Sequence, residues 1–120
     1  MEKISPKEFK GNLYEYLLSK NLKLVEEVVV QCDEMNKLYP YAINTVRIIT
    51  VHRYDGKVKL VAAYQRIGNH GYIVDNYNGG GMVVPIEEDG TIKYPAVDKL
   101  KNVYYEHPMT NTSIVGFKVP

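Results

Sequence analysis

The sequence contains no tryptophan, a single cysteine and almost no net charge. One cysteine, Cys32, cannot form an internal disulfide, which is typical of a reducing compartment. Fifteen Lys and Arg residues against fourteen Asp and Glu residues leave a net charge of +1, which argues against a strongly basic nucleic-acid-binding protein. No apolar run approaches the ~20 residues that span a bilayer, and no signal peptide is evident. We therefore expect a cytoplasmic protein without a membrane span.

A length of 120 residues is that of a single domain. Such a chain buries roughly two-thirds of its unfolded surface, so it can fold without a disulfide or a structural metal. The polar residues 19–21 separate a helical pattern from a long apolar run. We therefore divide the domain into a helical lead-in over residues 1–21 and a core over residues 22–120.

The lead-in carries the signals of a helix start. Ser5 is a suitable N-cap, Pro6 fits the first helical position, and Glu8 completes a capping box. Apolar residues at helical spacing then predict a helix over residues 6–19. The next segment, residues 22–31, is almost continuously apolar, and we predict a strand with both faces covered.

The rest of the pattern predicts an antiparallel sheet. Apolar and polar residues alternate over 45–53 and 57–66, and Asp55-Gly56 between them is typical of a tight hairpin turn with positive φ angles. Shorter elements complete the chain: a helical turn at 33–38, a strand at 82–86, a second helical turn at 97–102 and an extended tail over 103–120. The expected fold class is α+β, an antiparallel β-sheet with one N-terminal helix and short helical turns.

A glycine-rich loop over residues 67–81 separates two of these strands. Hairpin connections usually contain about 2–5 residues, so this one is long. Glycines let a backbone approach a ligand closely, and successive N–H groups can bind phosphate oxygens. Asp75 and Asn76 add a carboxylate and an amide to Gly79, Gly80 and Gly81. The alternative is a surface hairpin in which the glycines only serve turns.

Two arginines are candidate anion ligands. Arg47 lies in the middle of the first hairpin strand among apolar residues, where a buried guanidinium needs an anionic partner. Arg66 ends the strand that pairs with it, so both could face one phosphate or carboxylate. The alternative, commoner for arginine, is an outward side chain on a solvated face of the sheet.

Other residues give weaker signals. The three histidines are far apart and show no metal-ligand spacing, so no metal site is predicted in this chain. Cys32 has no base beside it in the sequence, and we predict a buried structural thiol rather than a nucleophile. Glu26-Glu27 inside an apolar strand is either a ligand-contacting segment or the charged edge of a sheet.

Several short motifs occur in an order that resembles one family. From about residue 22 onward they are Leu24-Val25-Glu26-Glu27, Asn44-Thr45-Val46-Arg47-Ile48, Arg66-Ile67-Gly68, Val74-Asp75-Asn76, Gly79-Gly80-Gly81 and His107-Pro108-x-Thr110. Together they resemble the C-terminal portion of the sugar-transfer associated ATP-grasp proteins. The resemblance implies an ATP-dependent carboxylate–amine ligase of polysaccharide or cell-surface sugar biosynthesis that works through an acyl-phosphate. It also implies ATP and magnesium as cofactors and a small carboxylate or amine as substrate.

The resemblance assigns roles to three groups of residues. A hinge strand is implied to bind ATP at its adenine and ribose through Glu26, Glu27, Val29, and Gln31 or Asp33. The residues implied as catalytic, at the phosphates or the acyl-phosphate, are Arg47 and Arg66. The loop implied to close over phosphate and substrate contains Asp75, Asn76, Gly79, Gly80 and Gly81.

Two departures from the family pattern bear on activity. Asn111 replaces the glycine that follows His-Pro-x-Thr, which affects one turn, because asparagine tolerates positive φ. The sequence ends at Pro120 before the late Asp…Glu-x-Asn segment that holds magnesium, and the phosphate-gripping lysines of the preceding subdomain are missing. We therefore expect a fragment of a ligase that is inactive as an isolated chain.

Two alternatives stay open. The chain could be a stand-alone nucleotide-binding or protein-interaction module without catalysis. Its exposed sheet edges would then pair with a second copy or with a partner. It could also be an unrelated α+β domain in which the glycine-rich loop is only a hairpin.

Overall fold

The computed structural model describes residues 4, 5, 7 and 9–120. In this part of the chain two α-helices come first, α1 at Leu13–Ser19 and α2 at Asp33–Leu38. Five strands follow: β1 at Val46–His52, β2 at Val58–Ile67, β3 at Met82–Pro85, β4 at Ala96–Asp98 and β5 at Val103–Tyr104. They form one antiparallel sheet in the order β1-β2-β3-β4-β5, which confirms the α+β class. No helix among the described residues has the length and apolarity needed to cross a membrane.

One face of the sheet carries the hydrophobic core. Its largest fully buried apolar side chains come from β2, β3, the end of α2, the segment before β4 and the C-terminal segment: Ile67, Met82, Val84, Leu38, Tyr39, Ile92 and Ile114. Removal of this apolar surface from water is the main favourable term in folding. The core lies away from β1, because all seven residues of β1 are exposed.

Helix α1 is shorter than the sequence predicts. It begins at Leu13, and Asn12 is its N-cap, with the side-chain oxygen accepting from the Tyr14 N–H at 2.9 Å. Gly11, at φ +149°, has left the helical region, so the prediction of helix over residues 9–12 is wrong. Pro6 and Glu8, which belong to the expected capping box, lie outside the described residues.

The strand expected over residues 22–31 is not observed. Residues 22–32 belong to no helix or strand, and their apolar side chains are exposed, with Leu24 at 72% and Val30 at 90%. A strand needs a neighbour to satisfy its backbone N–H and C=O groups. Among the described residues, the ladders involve only the five strands of the sheet. This segment therefore has no strand beside it, and neither of its faces is covered.

Strands β1 and β2 form the expected hairpin with a different turn. The Arg53 N–H donates to the Lys57 carbonyl at 2.8 Å, and the Gly56 N–H donates to the Arg53 carbonyl at 3.0 Å. Only Gly56 of this turn has positive φ, at +79°, so the expected primed turn is replaced by a three-residue loop. Further along, Ile49 pairs with Ala62 and Thr50 with Leu60, which leaves Val61 as a β-bulge.

The helical turn expected at residues 97–102 is also wrong. The chain continues there as β4, and the Asp98 carboxylate closes the turn into β5 by accepting from the backbone N–H groups of Leu100 and Asn102, each at 2.9 Å. The side-chain hydrogen bond from Asn102 is the main cause that lowers the pKa of Asp98. An aspartate two residues before a turn amide favours an Asx-type turn over a helix.

Two single-residue predictions have opposite outcomes. Asn111 has φ +56°, which confirms that asparagine can serve where the family has glycine. Cys32 is exposed rather than buried, because it is the N-cap residue before α2, and the inward positions of that helix are Met35 and Leu38.

Candidate functional site

The face of the sheet opposite the core carries the candidate site. Side chains alternate along a strand, so Arg47, Tyr64, Arg66 and Val83 share this face. Arg47 lies opposite Tyr64 in the ladder, and Arg66 lies opposite Val83. An open pocket of about 500 Å³ is lined by these four residues and by three residues of the loop before β3: Asn76, Tyr77 and Asn78. The two predicted anion ligands, Arg47 and Arg66, therefore lie at one pocket.

Arg66 is held in this pocket by Asp75. The Arg66 Nη2 lies 2.8 Å from the Asp75 Oδ1, and the two side chains are 22% and 9% exposed. The Asp75 Oδ2 accepts from the Thr45 backbone N–H at 2.9 Å and from the Thr45 hydroxyl. Hydrogen bonds between ionised and polar groups in such a partly buried setting are stronger than neutral ones. Asp75 is therefore engaged by the protein itself on both oxygens.

Gln65 hydrogen-bonds to the backbone of Thr45 and Arg66 from the core side of the sheet. Its Nε2 donates to the Thr45 carbonyl at 3.2 Å and to the Arg66 carbonyl at 2.8 Å. Its Oε1 has no partner among the described residues, although Gln65 is fully buried. A buried acceptor without a donor costs about 1–3 kcal/mol. The amide therefore serves the two carbonyls at the expense of its own oxygen.

Arg47 has a different environment. It is exposed, and its guanidinium lies 5.9 Å from the centre of the Tyr64 ring. Among the described residues no carboxylate pairs with it. The prediction of an outward arginine is thus closer to the structure than that of a buried one. A guanidinium stacked on an aromatic face keeps its edge donors available for an anion.

The loop between β2 and β3 folds over the pocket edge. Asn76 begins a 3₁₀-helix, Tyr77–Gly79, and the Tyr77 hydroxyl donates to the Asp98 carbonyl at 3.0 Å. A Cβ at Gly81 would lie 2.6 Å from the Asp75 carbonyl oxygen, and Gly80 has φ +99°. These two glycines therefore serve the packing of the loop itself. Their role in phosphate binding, with that of Gly79, stays a prediction.

The base of this loop rests on a buried histidine. The Nε2 of His107 lies 2.9 Å from the Gly68 carbonyl, and its Nδ1 accepts from the Met109 N–H at 3.2 Å. The Nε2 therefore carries the proton of a neutral ring. Burial lowers the pKa of His107, and the hydrogen bond to Gly68 opposes this only in part. The ring stacks on Tyr39 at 5.2 Å, and a Cβ at Gly68 would lie 2.3 Å from the Tyr39 ring.

The hinge residues lie outside the pocket. Glu26, Glu27 and Val29 are exposed and do not line it. The Gln31 amide is engaged inside the protein, where its Oε1 accepts from the Asn44 backbone N–H at 2.7 Å and its Nε2 donates to the Tyr39 carbonyl at 2.9 Å. Asp33 is the exposed first residue of α2. Their adenine and ribose roles stay predictions.

Three residues that organise the site are not found by sequence reasoning. Thr45 and Gln65 are neighbours of predicted residues, and Thr45 belongs to the same Asn-Thr-x-Arg stretch as Arg47. His107 is named in a motif without a role. The useful signal for Thr45 and Gln65 is strand register, since both adjoin the start of β1 in the ladder.

The residues present do not fit a metal ion. In the described part of the chain, no three His, Cys, Asp or Glu side chains come together as possible ligands. Asp75, the carboxylate that pairs with the pocket residue Arg66, also accepts from Thr45. We derive no step through magnesium for this chain.

The structure is an α+β domain whose antiparallel sheet carries two arginines, Arg47 and Arg66, at one pocket on the face opposite the core. The family model of the sugar-transfer associated ATP-grasp proteins matches residues 5–120, and the chain belongs to that family. The match includes α1, whereas the motif-based resemblance begins near residue 22. No curated protein and no solved structure shows a significant match.

Proposed function

We propose that this pocket binds the phosphate or acyl-phosphate groups of an ATP-dependent carboxylate–amine ligase reaction in polysaccharide or cell-surface sugar biosynthesis. The supporting observation is that Arg47 and Arg66 line one pocket. Membership of the ATP-grasp family supports ATP as the nucleotide. Charge develops on the oxygens of a phosphoryl group in transfer, and two guanidinium groups can offset it.

Within this proposal the pocket residues have different tasks. Arg47 is exposed and approaches the anion from the open side, whereas Arg66 offers a guanidinium whose position Asp75 fixes. The amides of Asn76 and Asn78 line the same pocket and can add N–H donors. The glycines at 79–81 would complete the closure of the loop over phosphate and substrate.

The nucleotide end of the site is proposed at the hinge segment. Residues 22–32 form no strand or helix, so the peptide groups around Glu26, Glu27 and Val29 are open to the edge of an adenine ring. Gln31 and Asp33 are proposed for the ribose side. A cytoplasmic location is part of the same proposal, supported by the exposed free thiol of Cys32.

We also propose that the isolated chain binds phosphate groups without turning ATP over. Magnesium needs hard oxygen ligands, and both oxygens of Asp75 already accept from protein donors. Phosphoryl transfer relies on that ion to offset charge between the phosphates. Binding and turnover are therefore expected to separate in this chain.

Calorimetric titration of the chain with ATP and with inorganic phosphate tests this function. Arg47→Ala should weaken binding roughly ten- to a hundredfold, since a hydrogen bond to a charged group contributes about 1.5–3 kcal/mol. Arg53→Ala is the matched control, because Arg53 lies in the turn of the same hairpin, outside the pocket, paired with Asp55 at 3.5 Å. Equal affinity for wild type and Arg47→Ala would contradict the phosphate site. ATP hydrolysis by the isolated chain would contradict its inactivity.

A second candidate function is self-association through β1. This strand is at the edge of the sheet, and Ile48 and Ile49 are 62% and 42% exposed. An exposed apolar edge strand is a template for pairing with another strand. Antiparallel pairing of two copies about Ile49 would place Arg47 of each copy opposite a valine, Val51, so like charges stay apart.

Light scattering after size-exclusion chromatography tests this pairing. We expect a dimer fraction that rises with protein concentration and falls sharply in Ile49→Lys, because a lysine disfavours edge pairing. Val97→Lys is the control, since Val97 is an exposed strand residue that is already paired on both sides. A strictly monomeric wild type at high concentration would remove this candidate.

A further inference from the structure

We propose that Thr45 and Asp75 are positioning residues that hold the Arg66 guanidinium ready for an anion. This inference rests on the proposed phosphate-binding function of the pocket. The observation behind it is a closed ring of contacts on the pocket face. Arg66 pairs with Asp75 at 2.8 Å, Asp75 accepts twice from Thr45, and the Thr45 carbonyl accepts from the Arg66 backbone N–H at 2.8 Å.

The ring joins three separate parts of the chain. Thr45 precedes β1, Arg66 is near the end of β2, and Asp75 lies in the loop before β3. The Asp75 side chain is 9% exposed, so its geometry is set by protein donors rather than by water. Gln65 holds the Thr45 and Arg66 carbonyls from the other side of the sheet. Arg66 is therefore held at both ends, at its guanidinium by Asp75 and at its backbone N–H by Thr45.

Such attachment leaves donors free for a ligand. Asp75 engages Nη2 of Arg66, and the guanidinium carries five N–H donors in a planar fork. A long side chain that is already ordered loses less conformational entropy when the ligand binds. Arg47, without such an attachment, must be ordered by the ligand itself.

A competing explanation is that Asp75 only neutralises Arg66. The two explanations differ in sign. Removal of a negative charge beside the pocket should strengthen the binding of an anion if charge alone matters. It should weaken binding if Asp75 positions Arg66. Thr45 adds a second test, because replacing its hydroxyl changes no charge at all.

The experiment titrates Asp75→Asn, Thr45→Val, Thr45→Ser and wild type with inorganic phosphate and with ATP, followed by NMR chemical shifts. We expect phosphate binding about tenfold weaker in Asp75→Asn and about threefold weaker in Thr45→Val. Thr45→Ser keeps the hydroxyl and should bind like wild type. Asp55→Asn is the control, because it removes the same charge from another arginine–aspartate pair, which lies in the hairpin turn outside the pocket. Thermal unfolding of each variant separates loss of fold from loss of binding.

A second readout does not depend on a ligand. Phenylglyoxal modifies accessible arginines, and peptide mass spectrometry reports the extent at Arg66 against the exposed Arg47 in the same sample. Arg66 should react severalfold faster in Thr45→Val and Asp75→Asn than in wild type. An unchanged Arg66 rate in both variants overturns the inference.

The outcomes separate this inference from the proposed function. Stronger phosphate binding in Asp75→Asn, or a Thr45→Val variant that binds like wild type, overturns the positioning role and leaves the phosphate site intact. Absence of phosphate and ATP binding in wild type overturns the proposed function. In that case a faster reaction of Arg66 in the variants still supports the claim that Thr45 and Asp75 hold its side chain.

Discussion

Strand β2 begins in an open hairpin and ends in the core. Its first residue, Val58, is 65% exposed, whereas its last, Ile67, is fully buried. The ladder to β1 runs from Val58 to Gln65 with only the Val61 bulge in it. Pairing with one neighbour is therefore enough to form the strand, but burial requires a second layer. That layer, from α2 and the C-terminal segment, covers only the end of β2.

The candidate site lies where these two environments meet. Tyr64 and Arg66 are half-buried, whereas Arg47 on the neighbouring strand is exposed. One side of the pocket is thus fixed by the core, and the other belongs to the open hairpin. The radius of gyration, 17.6 Å, exceeds the roughly 14 Å expected for a compact chain of this length.

The largest expected effect compares two isoleucines of the same hairpin. Ile67→Ala should lower the free energy of unfolding by about 2–5 kcal/mol, because it leaves a cavity in the core. Ile48→Ala, at a side chain 62% exposed, should change it by less than about 1 kcal/mol. Urea unfolding measures both. A comparable loss in the two variants would show that the hairpin is covered in solution.

A smaller effect is expected at the base of the loop. Gly68→Ala places a methyl group 2.3 Å from the buried Tyr39 ring, and overpacking of this kind costs about 1–3 kcal/mol. Gly79→Ala is the control, because its nearest contact, at 3.8 Å, is ordinary. The midpoint of thermal unfolding distinguishes the two. Equal midpoints would mean that the Tyr39 ring moves aside at little cost in stability.

The smallest expected effect is a pH dependence of the free energy of unfolding that comes from a buried histidine, His107. Burial lowers the pKa of His107, so the folded state binds its proton less readily than the unfolded state. Stability is then full above about pH 6.5, the unfolded value, and is lost as pH falls toward the folded pKa, by at most ~1.4 kcal/mol per pH unit. Urea unfolding of wild type and His107→Gln across this range measures the difference.

Here the exposed His52 supplies the control. His52→Gln should keep the acid-dependent loss of stability, whereas His107→Gln should reduce it. The opposite pattern would assign the loss to the open hairpin. A flat profile for wild type would mean that His107 has the same pKa in the folded and unfolded states.

Local patterns predict much of the sheet and half of the site. The hairpin follows from alternation and a turn signal, and its register places Arg47 and Arg66 on one face. The apolar run at residues 22–31 predicts a buried strand that is not observed. An apolar pattern shows that a segment could be buried, but not whether another element packs against it. Helix α1 begins later than predicted because Gly11 has a non-helical backbone and Asn12 is the N-cap.

The rest of the site depends on contacts between distant residues. Asp75 meets Thr45 across thirty positions, and no periodicity encodes that distance. His107 reaches Gly68 across thirty-nine positions through a turn that depends on Asn111. Sequence therefore indicates which side chains suit an anion, whereas tertiary closure decides which of them are held in place.

The bulge at Val61 has a consequence for chain length. Ile49 pairs with Ala62 and Thr50 with Leu60, so the residues on either side of Val61 already face successive partners on β1. Deletion of this one residue would restore a regular ladder and leave the registers above and below it unchanged. The hairpin can thus lose one residue here without turning Arg47 or Tyr64 to the other face. Single-residue differences in length among relatives are expected at this position rather than between Tyr64 and Ile67.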